Sequence, residues 1–268
     1  MNRFTLPTAW ATQRVPIDIV GAGGTGSQFA DQLASLETTL TRLGHPGFDV
    51  RVHDSDRVSA SNVGRARYTA SDVGSNKAIL LTHRLRNFYG VDWEACPRRY
   101  DPDAYISGPR LIVSCVDVAA FRAALCKRAA RNPTDAILLD CGNGETTGQV
   151  IFGHLNRRDD PNRLPNVFDL YPELDHMQAA DAEQPSCSTE EAIRRQAWPV
   201  NRGAALLAAD MLWSLFRNGE IAYHGIHFEL NPFRTTPLPI CPLAWAMYGY
   251  TPPGTAKPRT RKRKRASA

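Results

Sequence analysis

Nowhere in the sequence do about 18 apolar residues run together, which excludes a membrane-spanning helix from the outset. The N-terminus, MNRFTLPTAWATQRVP, has an early arginine but no apolar stretch of signal-peptide length, so a cytoplasmic protein is expected. No two of the six cysteines (Cys96, Cys115, Cys126, Cys141, Cys187 and Cys241) form a C-x-x-C pair, which argues against a zinc ribbon. In a chain of 268 residues the same spacing argues against a disulfide scaffold. Several lie in apolar runs such as LIVSCV and AILLDC, where a reduced cysteine behaves as a small hydrophobe, so free thiols in a reducing compartment are expected. There is no internal repeat.

Charge is also scarce outside one place. The net charge is +5, but Lys257, Arg259, Arg261, Lys262, Arg263, Lys264 and Arg265 crowd into the last dozen residues, and without them the body is close to neutral. We expect one large globular domain over residues 1–250 and a basic tail over 251–268 that cannot bury enough apolar surface to fold. Such a tail either stays solvated or contacts nucleic acid or an acidic partner.

What is present is an alternation of strand and helix patterns. Ile17 to Val20 is a short β-branched run ending in Gly21-Ala22-Gly23-Gly24-Thr25-Gly26, and apolar periodicity follows through Phe29, Leu33, Leu36 and Leu40. Phe48 to His53 reads as a second strand, Lys77 to Tyr89 as a helix, and Leu111 to Val116 and Ala136 to Asp140 as buried strands around a helix from Ala119 to Arg131. This predicts an α/β fold with a doubly wound, Rossmann-like, mostly parallel sheet. Added strands are expected toward the C-terminus at Gln149 to Leu155, Ile221 to Leu230 and Thr235 to Ile240, with a helix over Ala204 to Phe216. Residues 156–186 have little periodicity and read as a long functional loop, followed by a helical segment from Ser188 to Arg195.

Gly21-x-Gly23-x-x-Gly26 after a strand and before a helix lets the backbone approach a phosphate, with Gly24 in the same turn. Alone, this does not separate the binders of NAD, FAD, SAM and ATP. Asp54, at the end of the second strand, is the candidate for a ribose hydroxyl. The stretch Asp54-Ser55-Asp56-Arg57-Val58-Ser59-Ala60-Ser61-Asn62-Val63-Gly64-Arg65, with Gly74-Ser75-Asn76-Lys77 beyond it, closely resembles the D-x-D-x-V-x-x-S-N-L-x-R-Q … G-x-x-K pattern of the ThiF/MoeB/HesA family, relatives of the ubiquitin-activating enzymes. Val116-Asp117 and Arg122 extend the resemblance over most of residues 17–142.

The resemblance implies ATP-dependent adenylation of a carboxylate. A carboxylate attacking the α-phosphate approaches a polyanion, so cations must offset charge on both sides of the phosphorus. It implies Gly21, Gly23, Gly24, Gly26, Asp54 and Asn62 as nucleotide-binding residues, Arg65 and Lys77 as phosphate cations, and Asp117 as a ligand of Mg²⁺. Asp140 to Val150, together with Pro185-Ser186-Cys187-Ser188 and Pro199-Val200-Asn201, resembles the ThiF-related proteins of the PRTRC cassette of bacterial mobile elements. That resemblance implies a small ubiquitin-like protein as the carboxylate donor. Cys187 precedes Ser188-Thr189-Glu190-Glu191, which reads as a capping box, and a helix N-terminus favours the thiolate that would form a thioester. The two glutamates act against it, and the alternative is a structural or merely exposed thiol.

Three features depart from the family pattern. Ala66 stands where a glutamine follows the arginine, with Arg67 adjacent; the paired C-x-x-C motifs are absent, so no structural zinc is expected. Only Arg3 and Arg14 precede the first strand of the parallel sheet, where the family carries an arginine on an N-terminal helix into its partner subunit, and this leaves a homodimer open. Rival readings are a carboxylate-activating enzyme of the same family acting on tRNA, with the tail on phosphates, a non-catalytic nucleotide-bound scaffold, and a nicotinamide dehydrogenase.

Overall fold

The computed structural model describes residues 3–129, 134–156, 160, 162–175 and 197–253. The chain opens with a short strand, β1 (Phe4–Thr5), and one helical turn, α1 (Thr8–Thr12), neither foreseen in the sequence. The β-branched run before the glycine turn forms β2 (Val15–Val20). It begins two residues earlier than expected because Val15 and Pro16 stay in register with Phe48 and Asp49 of β3 (Phe48–His53). Between them, α2 (Gly24–Arg42) buries Phe29, Leu33, Leu36 and Leu40 against the sheet, as its apolar period requires.

The helix α3 (Lys77–Tyr89) has the predicted bounds and clear end signals: the Asn76 side chain accepts the Ile79 N–H, and Gly90 closes the helix in the left-handed conformation. There follow β4 (Glu94–Cys96), β5 (Leu111–Ser114), α4 (Ala119–Ala129), β6 (Ile137–Asn143) and β7 (Thr147–His154). Part of the expected loop 156–186 is ordered: Asn166 caps α5 (Val167–Leu170), and Pro172–Asp175 forms a 3-10 turn. The long helix α6 (Val200–Asn218) extends four residues upstream of its expected start. The run expected at Ile221 to Leu230 is split into β8 (Glu220–Ile221), which pairs with β1, and β9 (Tyr223–Leu230); β10 (Phe233–Pro239) and α7 (Pro242–Ala246) follow.

One eight-stranded sheet runs β10-β9-β7-β6-β5-β2-β3-β4. The five strands from β6 to β4 are parallel, and β7, β9 and β10 extend them antiparallel. The fold is therefore the Rossmann-like, mostly parallel sheet expected, with its C-terminal added strands. β5 is buried along its whole length, as a strand covered on both faces should be. Within this core Asp18 on β2 is buried, and Arg51, Arg110 and His53 reach it at 2.8, 2.9 and 3.2 Å. Burial alone would raise its pKa, but the hydrogen bonds from His53 and Arg51 and the charge of Arg110 outweigh it, so the carboxyl is held below its ordinary value. Among the described residues, no helix is long and apolar enough to cross a membrane.

Candidate active site

From β2 the chain passes through α2 to β3 on one side, while β5 lies on the other, so the carboxyl ends of β2 and β5 part at a topological switch point. Gly21 starts the turn there. Its N–H donates to the His53 carbonyl at 2.9 Å, and its φ of 91° is one that only glycine adopts without strain. Gly26 is needed for a different reason, because a Cβ on it would lie 1.8 Å from the Gly21 carbonyl oxygen. Gly23, by contrast, faces open space.

The excursion between β3 and α3 folds back over this loop. Asp54 receives the Ala22 N–H at 2.7 Å on one oxygen and the Asp56 N–H at 2.8 Å on the other. Burial raises its pKa, against the lowering effect of the Ala22 hydrogen bond and the Lys77 charge. Asn62 sits at the end of a 3-10 turn, and its side-chain oxygen accepts the Ser59 N–H at 3.0 Å, leaving the amide end to reach the cleft. Arg65 is half-buried and donates Nε to the Ser61 carbonyl at 2.9 Å. Lys77, in the first turn of α3, is buried with its Nζ 3.2 Å from Asp56 Oδ2. Tyr68 ties the excursion down: its buried hydroxyl donates to the Ala22 carbonyl at 2.8 Å.

The opposite wall is made by Cys115, Val116 and Asp117 after β5, by Cys141, Asn143 and Gly144 at the end of β6, and by Asn201 in the first turn of α6. Asp117 is exposed at the rim. Behind this wall Arg122 bridges the fully buried Asp140, 3.1 Å away, and the Val116 carbonyl at 2.7 Å. It thereby links the loop that carries Asp117 to β6. The thiol of Cys115, just past the end of β5, contacts that of Cys141 on the neighbouring β6, and that contact together with burial pushes the Cys141 thiol well above its ordinary pKa.

The cleft between these walls has a volume of about 780 Å³ and is lined by Gly21, Gly23, Gly24, Asp54, Asn62, Arg65, Lys77 and Asp117 among others. The structure thus places these predicted residues around one space, while Gly26 lies behind it as a packing glycine. Arg67 points away, pairing with Asp31 of α2 at 2.7 Å, so it does not take the place of the glutamine missing at Ala66. Arg3 pairs with Glu220 and Arg14 with Asp49, at 2.6 and 2.5 Å. Cys187 and the residues of the basic tail from 254 onward lie outside the described residues. No group of three or more His, Cys, Asp or Glu side chains that could hold a metal occurs among those described.

Sequence reasoning gave no site role to Thr25, Tyr68, Asn143 or Asn201. Asn143 and Asn201 stood out only as parts of DCGNGE and PVN, and nothing local indicated that they would meet. A second cavity of about 560 Å³ adjoins the cleft and shares Asn143 and Gly144 with it, its walls including Arg122, Gln149, His227, Glu229 and Arg234.

Comparison with known proteins bears on this arrangement at two levels. Crystal structures of E. coli MccB with ATP and of PaaA align with TM-scores of 0.56 at 15% and 16% identity, each over 84% of this chain and 64% of the other. E. coli MccB with MccA-N7isoASN aligns with a TM-score of 0.59 at 17% identity, over 86% and 67%. The fold is common to all three, and this chain spans a little under two thirds of the length of the first two. No curated protein matches the sequence at a significant level. The ThiF family model matches residues 10–244, nearly the whole described molecule, and the chain belongs to the ThiF family.

Proposed function

We propose that the protein adenylates a carboxylate with ATP, and that the carboxylate is the C-terminus of a small ubiquitin-like protein. The observation that carries this reading is the cleft at the switch point, lined by the glycine loop, Asp54, Asn62, Arg65, Lys77 and Asp117, which shares Asn143 and Gly144 with a second cavity. MccB, which shares the fold, has been crystallised with ATP and, separately, with AMPCPP and MccA together. This supports a nucleotide and a second substrate side by side in such a fold. The ubiquitin-like donor rests on the resemblance to the PRTRC proteins.

The N–H groups of the glycine loop and of the first turn of α2 cradle the α-phosphate. Each oxygen of Asp54 takes one backbone N–H and keeps a lone pair for a ribose hydroxyl. Arg65 offers a forked donor and Lys77 a point charge, and Lys77 exchanges Asp56 for a phosphate oxygen as the nucleotide enters. Asp117 suits Mg²⁺, an ion bound through one or two carboxylates together with substrate phosphates, because it is a single exposed carboxylate on the cleft wall. An ion held by Asp117 would supply positive charge to offset the charge of the pyrophosphate leaving group. The substrate carboxylate, arriving through the second cavity, attacks the α-phosphorus; the bond to the bridging oxygen breaks, and an acyl-adenylate and pyrophosphate result. In a later step, the Cys187 thiolate would attack the acyl carbon to give a thioester and AMP.

ATP–pyrophosphate exchange with a panel of recombinant ubiquitin-like proteins bearing free C-terminal carboxylates tests this. We expect exchange in the wild type, a loss of at least about a hundredfold in Asp117→Ala and Arg65→Ala, and exchange retained in Cys187→Ala. Tight ATP binding without exchange for any partner would refute adenylation of a ubiquitin-like protein and leave a nucleotide-bound scaffold or an enzyme of the family acting on tRNA.

A further inference from the structure

Where the two cavities meet, three side chains close a ring of hydrogen bonds. Asn143 Nδ2 donates to Thr25 Oγ1 at 2.9 Å and to Asn201 Oδ1 at 2.8 Å, and Thr25 Oγ1 donates to the same Asn201 oxygen at 2.9 Å. Thr25 belongs to the glycine loop and the first turn of α2, Asn143 is the last residue of β6, and Asn201 lies in the first turn of α6. Asn201 is 3% exposed and Thr25 6%. The Asn201 carboxamide also fills the space beside Gly24, where a Cβ would come within 2.7 Å of its Nδ2.

A buried polar ring is tolerated only when its members are satisfied, and apolar side chains could brace two helices without that demand. Packing alone therefore does not account for it. What the ring joins is the phosphate cradle on one side and Asn143-Gly144 on the other, the stretch common to the nucleotide cleft and the second cavity. Attack on the α-phosphorus needs the carboxylate oxygen to sit within about 3–3.5 Å, so a small shift of the loop relative to β6 removes the reactive geometry. The Thr25 hydroxyl is turned to this task, with its hydrogen directed to Asn201 and a lone pair to Asn143.

We propose that Thr25, Asn143 and Asn201 are positioning residues that set the distance between the phosphate cradle and the entering carboxylate. The inference rests on the adenylation reading above. Its test is ATP–pyrophosphate exchange by the full chain with the same panel of ubiquitin-like proteins. Thr25→Val, nearly isosteric, is expected to lower kcat by about tenfold to a hundredfold while the KM for ATP stays within about twofold, and Thr25→Ser to recover most of the loss. Asn201→Leu should give a comparable fall, and the double variant Thr25→Val/Asn201→Leu should be no worse than the poorer single one. Thermal melting verifies folding, and if Asn201→Leu does not fold, the contrast between valine and serine at position 25 decides alone. A raised KM for ATP at unchanged kcat would make Thr25 a direct phosphate ligand and overturn the proposal, as would serine as poor as valine. Wild-type exchange with Thr25→Val indifferent would overturn the positioning role only; no wild-type exchange with any partner would remove the adenylation reading and this inference together.

Discussion

The parallel and antiparallel halves of the sheet join at β6 and are held by different means. On the parallel side, the glycine loop is held by its own main-chain groups: the Gly21 N–H donates to the His53 carbonyl, the Ala22 N–H to the Asp54 carboxylate, and the Ala22 carbonyl accepts from the Tyr68 hydroxyl, while the Asn76 amide donates to the Asp54 carbonyl at 3.2 Å. All these partners lie between residues 21 and 76. On the antiparallel side, side chains from distant segments carry the structure. Tyr171 and His227 share a hydrogen bond of 2.6 Å, His227 stacks on Tyr248, and the buried Arg163 joins Asp169 and Tyr250 at 2.5 and 3.0 Å. The comparison teaches that the nucleotide side has little freedom to vary, because its shape is that of the main chain. The side that would receive the second substrate can change one side chain at a time.

The sharpest way to break this comparison is Gly26→Ala. The obstacle to its Cβ is the Gly21 carbonyl at 1.8 Å, a backbone atom that moves only with the loop. We expect a loss of about 4 kcal/mol or more in chemical denaturation, or a protein that no longer binds ATP in calorimetry. A near-native midpoint with unchanged ATP affinity would show that the cradle is not set by this approach of helix to strand.

The same contrast explains how much was legible in the sequence. β3 and α3 have their predicted bounds because their signals are local: a β-branched run closed by Asp54, and a capped helix ended by Gly90. That Asn62, Arg65, Lys77 and Asp117 would join Gly21 and Asp54 is implied by the resemblance to the family pattern, and all six line one cleft, with the turn, the strand end and the helix start that carry them each encoded nearby. The roles of Asn143 and Asn201 could not be read, because their partner Thr25 lies 118 and 176 residues away and no local pattern records the meeting. β4, α1 and α7 are too short for periodicity to show. The order within 156–186 depends on long-range contacts such as Arg163 with Tyr250.

A second measurement sharpens the antiparallel half. His224 on β9 is fully buried, takes the Trp245 indole N–H on Nε2 at 2.7 Å, and so donates from Nδ1 to the Phe152 carbonyl at 2.9 Å. Burial, and to a lesser degree the proximity of His227, lower its pKa from 6.5 to about 4, against the opposing hydrogen bond to Phe152. For a base with a depressed folded pKa, stability is full above pH 6.5 and is lost as the pH falls toward about 4, since the unfolded chain takes the proton first. We expect a loss of about 2 kcal/mol between pH 7 and 5 from this group. Denaturation midpoints of wild type and His224→Gln across that range should diverge in slope; parallel curves would show that the imidazole is not buried neutral.

The smallest effect, and the closest counterpart to Gly26→Ala, is Gly148→Ala on β7. Gly148 stands directly opposite Phe228 of β9, and a Cβ there would lie 2.3 Å from the ring. The same ring approaches Gly203 of α6, where a Cβ would come within 3.3 Å, so Phe228 is held between two glycines in a small apolar cluster with Val200 and Ala204. Here the obstacle is mainly a side chain, and the expected cost is that of overpacking, about 1–2 kcal/mol. Because the ring can be replaced, Phe228→Leu should recover a good part of that loss in the double variant, whereas no single side-chain change should rescue Gly26→Ala. Additive costs for Gly148→Ala and Phe228→Leu in a double-mutant cycle would count against the comparison, since they would mean that the glycine serves the backbone of β7 and not the ring across from it.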